Sequence, residues 1–210
     1  MEHRLEFLDH GPKDSLHRIV LAHGAGAPMD SPFLDSMSKH LVNKGFRVVR
    51  FEFPYMRLRR SGGSKRPPDA LPVLMNHWRQ VMEHLGNPET WIVGGKSMGG
   101  RIASLVADQL SVKGLVCLGY PLHPPGRPDK LRADHLVQLN TPMLIVQGER
   151  DPFGTASEFR ALSLSPNIMW RWLPDGDHSL KPGKRSGFDY DEHLAKAATE
   201  IYSFAVGLTS

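Results

Sequence analysis

The stretch Trp91-Ile92-Val93-Gly94-Gly95-Lys96-Ser97-Met98-Gly99-Gly100-Arg101 decides how the rest of the chain is read. Its first three residues form an apolar run of strand type, and Gly94-Gly95 interrupts it. Ile102, Leu105 and Val106 then recur at the spacing of a helix face. At the junction, Gly95-Lys96-Ser97-Met98-Gly99 matches G-x-S-x-G. Between a strand and a helix this pattern makes a turn so sharp that side chains flanking the serine would clash, hence the glycines. The turn lifts the serine hydroxyl clear of the strand ends and sets it against the positive end of the helix. Gly95-Lys96-Ser97 also ends the phosphate-loop pattern G-x-x-x-x-G-K-[ST]. The first glycine of that pattern would fall on Thr90, and Trp91, Ile92 and Val93 would occupy a loop that needs pliable backbone, so that reading is excluded.

Outward from this stretch, short apolar runs alternate with segments of helical period. Ile19-Val20-Leu21-Ala22 reads as a strand ending at His23-Gly24-Ala25-Gly26. A helix follows, capped by Asp30 or Ser31, with Pro32 in its first turn and Phe33, Leu34, Met37 and Leu41 on one face. Gly45 stops it. Residues 46–53 read as a strand around Val48 and Val49. Residues 57–66 read as a basic loop carrying Arg57, Arg59, Arg60, Lys65 and Arg66 around Gly62-Gly63. Asp69 is the expected cap of a helix whose stripe is Leu71, Leu74, Met75, Trp78, Met82 and Leu85, ended by Gly86. Further strands are expected at Leu115-Val116-Cys117-Leu118, at Met143-Leu144-Ile145-Val146 and at Ile168–Leu173. A proline-rich stretch covers 120–128, a short helix 157–164, and a final helix carries Tyr190, Leu194, Ala197, Ile201 and Phe204.

Strands alternating with helices predict an α/β fold with a mostly parallel sheet covered on both faces. Length and composition predict one domain over residues 1–210: the 17 prolines and 20 glycines are dispersed rather than gathered in a linker. In such sheets ligands bind at the carboxyl ends of strands. The loops after Ala22, Val93, Val146 and Leu173 therefore gather on one edge.

Those loops hold the chemistry. A serine hydroxyl needs a base, and a base needs a carboxylate to orient it. With a serine of this kind the chain order is Ser, then Asp or Glu, then His. Asp151, in Gly148-Glu149-Arg150-Asp151-Pro152, and His178, in Gly176-Asp177-His178-Ser179, follow strands in that order. The expected catalytic set is Ser97, Asp151 and His178, with Glu149, Asp175 and Asp177 as rival carboxylates. An oxyanion needs two backbone donors. The amide of Met98 is one; the other is expected from Ala25, with Gly26 as its alternative. His23 is expected to brace that loop, while His77 and His84 fall on a helix and His123 in the proline-rich loop.

No H-E-x-x-H or Cys/His cluster occurs, so neither a catalytic metal nor a cofactor is expected. Cys117, the one cysteine, reads as core, and no internal disulfide can form. The charged start of the chain lacks the apolar core of a signal peptide, and no apolar run approaches membrane-spanning length. A cytoplasmic location is expected. The net charge of +4 bears on attraction to anions, not on fold.

Together these elements resemble the α/β-hydrolase superfamily over nearly the whole chain. The likeness is closest to its small, lid-poor branch related to dienelactone hydrolases, and within that to the hydrolase-like domain of KANL/Tex-type proteins. It is carried by the stretches 21–26, 94–101, 119–126 (Gly119-Tyr120-Pro121-Leu122-His123-Pro124-Pro125-Gly126) and 147–154 (Gln147-Gly148-Glu149-Arg150-Asp151-Pro152-Phe153-Gly154). The resemblance implies esterase, thioesterase or related acyl-transfer chemistry on a small-molecule acyl substrate. Dienelactone hydrolases use a cysteine where this chain has Ser97, so their lactone hydrolysis is not carried over. Lys96 either favours an anionic substrate or the developing oxyanion, or is a solvated elbow residue. The segment 120–140 is too short for a lid domain. The alternative is a hydrolase-like binding module whose basic loop meets an anionic ligand, an acidic protein or nucleic acid. Nucleic acid is not the expected partner, because the loop lacks interleaved aromatics.

Overall fold

Strands buried on both faces set the architecture. The computed structural model describes residues 5–62 and 66–208. Seven strands, β1 (Phe7–His10), β2 (Arg18–Ala22), β3 (Arg47–Phe51), β4 (Trp91–Lys96), β5 (Gly114–Leu118), β6 (Met143–Gly148) and β7 (Ile168–Leu173), form one sheet in the order β1-β3-β2-β4-β5-β6-β7. All neighbours run parallel except β1, which pairs antiparallel with β3 at the edge. The helices are α1 (Pro32–Asn43), α2 (Pro54–Arg60), α3 (Leu71–Leu85), α4 (Met98–Leu110), α5 (Ala156–Arg160) and α6 (Tyr190–Gly207).

Period-two alternation sends neighbouring strand residues to opposite faces. Val20, Phe51, Val93, Cys117 and Ile145 pack with α3 and α4 through Trp78, Val81, Ile102 and Val106. Ile19, Leu21, Val48, Val116 and Val146 pack with α1 and α6 through Met37, Leu41, Leu194 and Ile201. The fold is thus the expected α/β architecture. From β2 the chain steps to β3 on one side and, after α3, to β4 on the other. This reversal between β2 and β4 is the crevice in which open α/β sheets bind ligands. Register places Ala22 beside Gly95 and Lys96 beside Leu118, so the loops that follow start from one edge.

The structure departs from the sequence reading in several places. β4 continues through Gly94 and Gly95 to Lys96, because glycine lets β4 press against β2: a Cβ on Gly95 would overlap the Ala22 carbonyl. Much of the expected basic loop is α2, opened by Pro54 at its first turn. Gly63 and Lys65 of that stretch lie outside the described residues. Asp69 does not cap α3, whose N-cap is Ala70; its Oδ2 accepts instead from the Tyr55 amide at 2.9 Å and ties the two segments together. α5 is shorter than expected and starts at a capping box between Thr155 and Glu158. Among the described residues no helix is long and apolar enough to cross a membrane.

Candidate active site

Ser97 sits between β4 and α4 with φ 52° and ψ −117°, a conformation costly for a residue with a side chain. The turn is pinned on both sides: the Ser97 amide donates to the Leu118 carbonyl at 3.0 Å, and its carbonyl accepts from Arg101. The loop after β7 brings His178 to it. Asp177 Oδ1 accepts from the Ser179 and Lys181 amides at 2.7 and 3.0 Å, and Asp175 and Leu180 take positive φ, so the loop doubles back tightly.

The two segments meet through side chains. His178 Nε2 lies 2.8 Å from Ser97 Oγ, and His178 Nδ1 lies 2.8 Å from Asp151 Oδ2. Asp151 is fully buried. Its carboxylate accepts from Gln147 Nε2 and from the Phe153 amide, each at 2.8 Å, besides His178. Those bonds stabilise a buried charge that would otherwise be expensive. They leave His178 with its proton on Nδ1 and a free electron pair on Nε2 facing the serine. The Phe153 ring stacks on the imidazole at 4.1 Å. Burial pushes the His178 pKa below its ordinary value; the bond to Asp151 opposes that shift, and the Lys96 cation adds to it.

Lys96 is not a solvated elbow residue. It is buried, and Nζ donates to the His178 carbonyl at 2.5 Å, beside Gly119 and behind the imidazole. Burial lowers its pKa to about 8, against the opposing charges of Asp151 and Asp177.

Ser97 opens into a cleft of about 440 Å³ lined by Ala25, Met98, Arg101, Arg132, Pro121 and Phe153, and also by Asp69 and Leu74. Cavities of about 340 and 430 Å³ lie against α2 and α1, so size does not single the cleft out; the serine does. Ala25 and Met98 thus share a cleft with Ser97. The Met98 amide is the first N–H of α4, which has no acceptor within the helix. His23 fastens the loop that carries Ala25: fully buried, its Nδ1 donates to the Gly24 carbonyl at 2.7 Å and its Nε2 accepts from the Phe53 amide at 3.1 Å. Burial holds its pKa at about 4, so it stays neutral.

Residues 15–206 match the model of the alpha/beta hydrolase domain family. The chain belongs to that family. Solved structures with the same fold include an alpha-beta serine hydrolase homologue from Coxiella burnetii (20% identity, 95% of this chain and 91% of that one, TM-score 0.67). A dienelactone hydrolase from Anabaena variabilis is similar over 98% of this chain and 93% of its own, at 19% identity and a TM-score of 0.72. The monoacylglycerol lipase of Paleococcus ferrophilus is similar over 98% and 100%, at 15% identity and a TM-score of 0.74. At such identities the likeness is one of fold. Family membership puts the chain among hydrolases, and it does not reach down to the KANL/Tex-type grouping.

In this α/β-hydrolase the rival carboxylates are engaged elsewhere. Asp175 pairs with Arg150 at 2.5 Å and accepts from the Gly183 amide, Glu149 accepts from the Asp175 amide, and Asp177 holds its own turn. His123 bonds Glu158 at 3.0 Å, and His77 bonds the Glu52 carbonyl at 2.9 Å. Sequence reasoning missed Gln147, although it is the one polar side chain in the apolar run of β6. It also missed Phe153, Arg101 and Arg132, whose approach to Ser97 is tertiary. Among the described residues no group of three or more His, Cys, Asp or Glu side chains is placed to hold a metal ion.

Proposed function

We propose that this protein is a serine hydrolase that cleaves small esters or thioesters through an acyl-enzyme. The observation that carries the reading is the unbroken chain from Ser97 Oγ through His178 to the buried Asp151, both links 2.8 Å, with the serine strained into an open cleft.

Ser97 Oγ attacks the substrate carbonyl carbon while His178 Nε2 takes its proton. Asp151 holds the imidazole by its Nδ1 proton and steadies the imidazolium that forms. The carbonyl oxygen becomes an oxyanion, held by the Met98 amide and a second donor from the His23–Gly26 loop, for which Ala25 is the candidate. Collapse of the tetrahedral intermediate breaks the bond to the leaving alcohol or thiol, which departs with the proton from Nε2. Water then gives a proton to His178 Nε2 and attacks the acyl carbon; the bond to Ser97 Oγ breaks, Nε2 returns the proton to Oγ, and the acid is released. The arginines of the expected basic loop favour this reading over a binding module. Arg60 is held by Glu52 and Asp30 at 2.6 and 2.7 Å, and Arg57 lies 3.5 Å from Glu6, so much of that charge is balanced inside the molecule.

The test is labelling with a fluorescent fluorophosphonate. The parent should label and Ser97→Ala should not; replacing Ser97 or His178 by Ala should lower turnover by about 10⁴–10⁶-fold. A folded parent that does not label, or a loss under about tenfold in either variant, refutes the assignment.

A further inference from the structure

Two arginines line the cleft with Ser97, and neither has a carboxylate partner among the described residues. Arg101 lies one turn into α4 from Ser97, its amide bonded to the Ser97 carbonyl at 3.0 Å. Its Nε is buried with no hydrogen-bond partner. Arg132 is fixed by its backbone: its amide donates to the Leu122 carbonyl at 2.8 Å, and its carbonyl accepts from the buried Tyr120 hydroxyl at 2.7 Å. That anchoring holds the residue at the cleft while its guanidinium is left unpaired. Burial pushes the Arg132 pKa down, and the two cations are close enough that the Arg101 charge adds to that shift. A fold gains nothing from holding two like charges together and partly desolvated, which costs stability. The cost is offset when an anion sits between them.

We propose that Arg101 and Arg132 form an oxoanion subsite, so that the esters hydrolysed at Ser97 carry a carboxylate. Guanidinium groups pair with oxoanions through two parallel hydrogen bonds, giving orientation as well as attraction. The charges facing the site set the valence of the guest. Asp69, tied to the Tyr55 amide, is the carboxylate among the residues lining the cleft, set against the two arginines in the charge of that lining. His135, beside Arg101 and bonded to Ser104 at 2.8 Å, is held neutral with a pKa of about 4 by burial and by Arg101. One net positive charge remains, which suits a monoanionic carboxylate better than a dianionic phosphate. This inference rests on the serine-hydrolase reading for its reaction, but not for its binding step.

The experiment compares kcat/KM for 4-nitrophenyl butyrate with that for 4-nitrophenyl hydrogen glutarate, whose acyl chain ends in a carboxylate. The parent should favour the glutarate ester by about tenfold or more, and Arg132→Gln and Arg101→Gln should each cut that ratio by about tenfold. Arg132→Lys, which keeps the charge and loses the fork, should fall between. A parent that prefers the neutral ester, or a ratio unmoved by both Gln variants, overturns the subsite and leaves the triad standing. If neither ester is turned over, the hydrolase reading fails by itself. Calorimetry with butyrate, a monoanionic carboxylate, then decides the subsite: binding that is lost in Arg132→Gln supports it, while no binding, or binding of inorganic phosphate alone, overturns it.

Discussion

Lys96 shows how a single residue of a motif can be read wrongly from sequence. The side chain between glycine and serine in G-x-S-x-G is not among those lining the cleft and does not reach water here; its ammonium sits behind the imidazole and grips the His178 carbonyl. Two effects reach His178 from it. The bond steadies the loop, and the charge disfavours the imidazolium, adding to burial in lowering the His178 pKa. A base must be deprotonated to act, so the acidic limb of the kcat/KM profile should lie below the ordinary histidine pKa of about 6.5. Removing the cation removes one downward influence, so in Lys96→Gln, which keeps a donor without the charge, the limb should move to higher pH. In the parent, loss of the same charge as pH rises through about 8 should produce a second inflection, absent from the variant. The measurement is the pH dependence of kcat/KM for a neutral ester. A variant that loses rate with its acidic limb unmoved would reduce Lys96 to a brace.

The elbow depends equally on how closely α4 and β2 approach. A Cβ on Gly99 would lie 2.6 Å from the carbonyl oxygens of both Ala22 and His23, rigid backbone atoms that cannot step aside. Gly99→Ala should therefore push the start of α4 away from β2, lowering stability by about 1–3 kcal/mol and displacing the Met98 amide with it. Urea unfolding reads the first effect and fluorophosphonate labelling rate the second; an unchanged midpoint would refute the close-packing argument. Sequence revealed this junction because its glycines have a steric cause, and it revealed six of the strands because their centres are apolar runs, buried on both faces in all but β7, where Met169 and Arg171 are exposed. β1 was missed because Phe-Leu-Asp-His is short and half polar at an antiparallel edge. α2 was missed because a seven-residue helix carrying three arginines has no apolar period; it forms on contacts distant in sequence, such as Tyr55 with the Ala25 carbonyl at 3.0 Å. The proposed set Ser97, Asp151 and His178 could be picked out because each follows a strand in a short pattern. Gln147 and the two cleft arginines could not, since their roles arise only where separate loops meet.

At the scale of the whole molecule, what is built around the cleft decides which acyl groups gain from binding. The segment between β5 and β6 is held down against the body: Tyr120 and Leu122 anchor Arg132, Leu136 is fully buried, and Asp108 accepts from the Asn140 and Thr141 amides at 3.0 and 2.7 Å. This segment, committed to such contacts, does not roof Ser97 with a tunnel. An enclosed acyl tunnel gains about 0.8 kcal/mol for each methylene taken from water, roughly fourfold in kcat/KM. A cleft of about 440 Å³, open at Ser97 and lined by Leu74, Met98, Ile102 and Phe153 besides the two arginines, has room to cover only a short acyl chain. Across 4-nitrophenyl esters from acetate to laurate, kcat/KM should therefore level off within the short chains, well below that fourfold step. Nor should it jump as the longer esters begin to form micelles, because among the described residues there is no lid for an interface to open. A steady rise through the long chains would mean that the acyl group runs into an apolar channel rather than along this cleft, and the assignment of the cleft as the acyl site would have to be withdrawn.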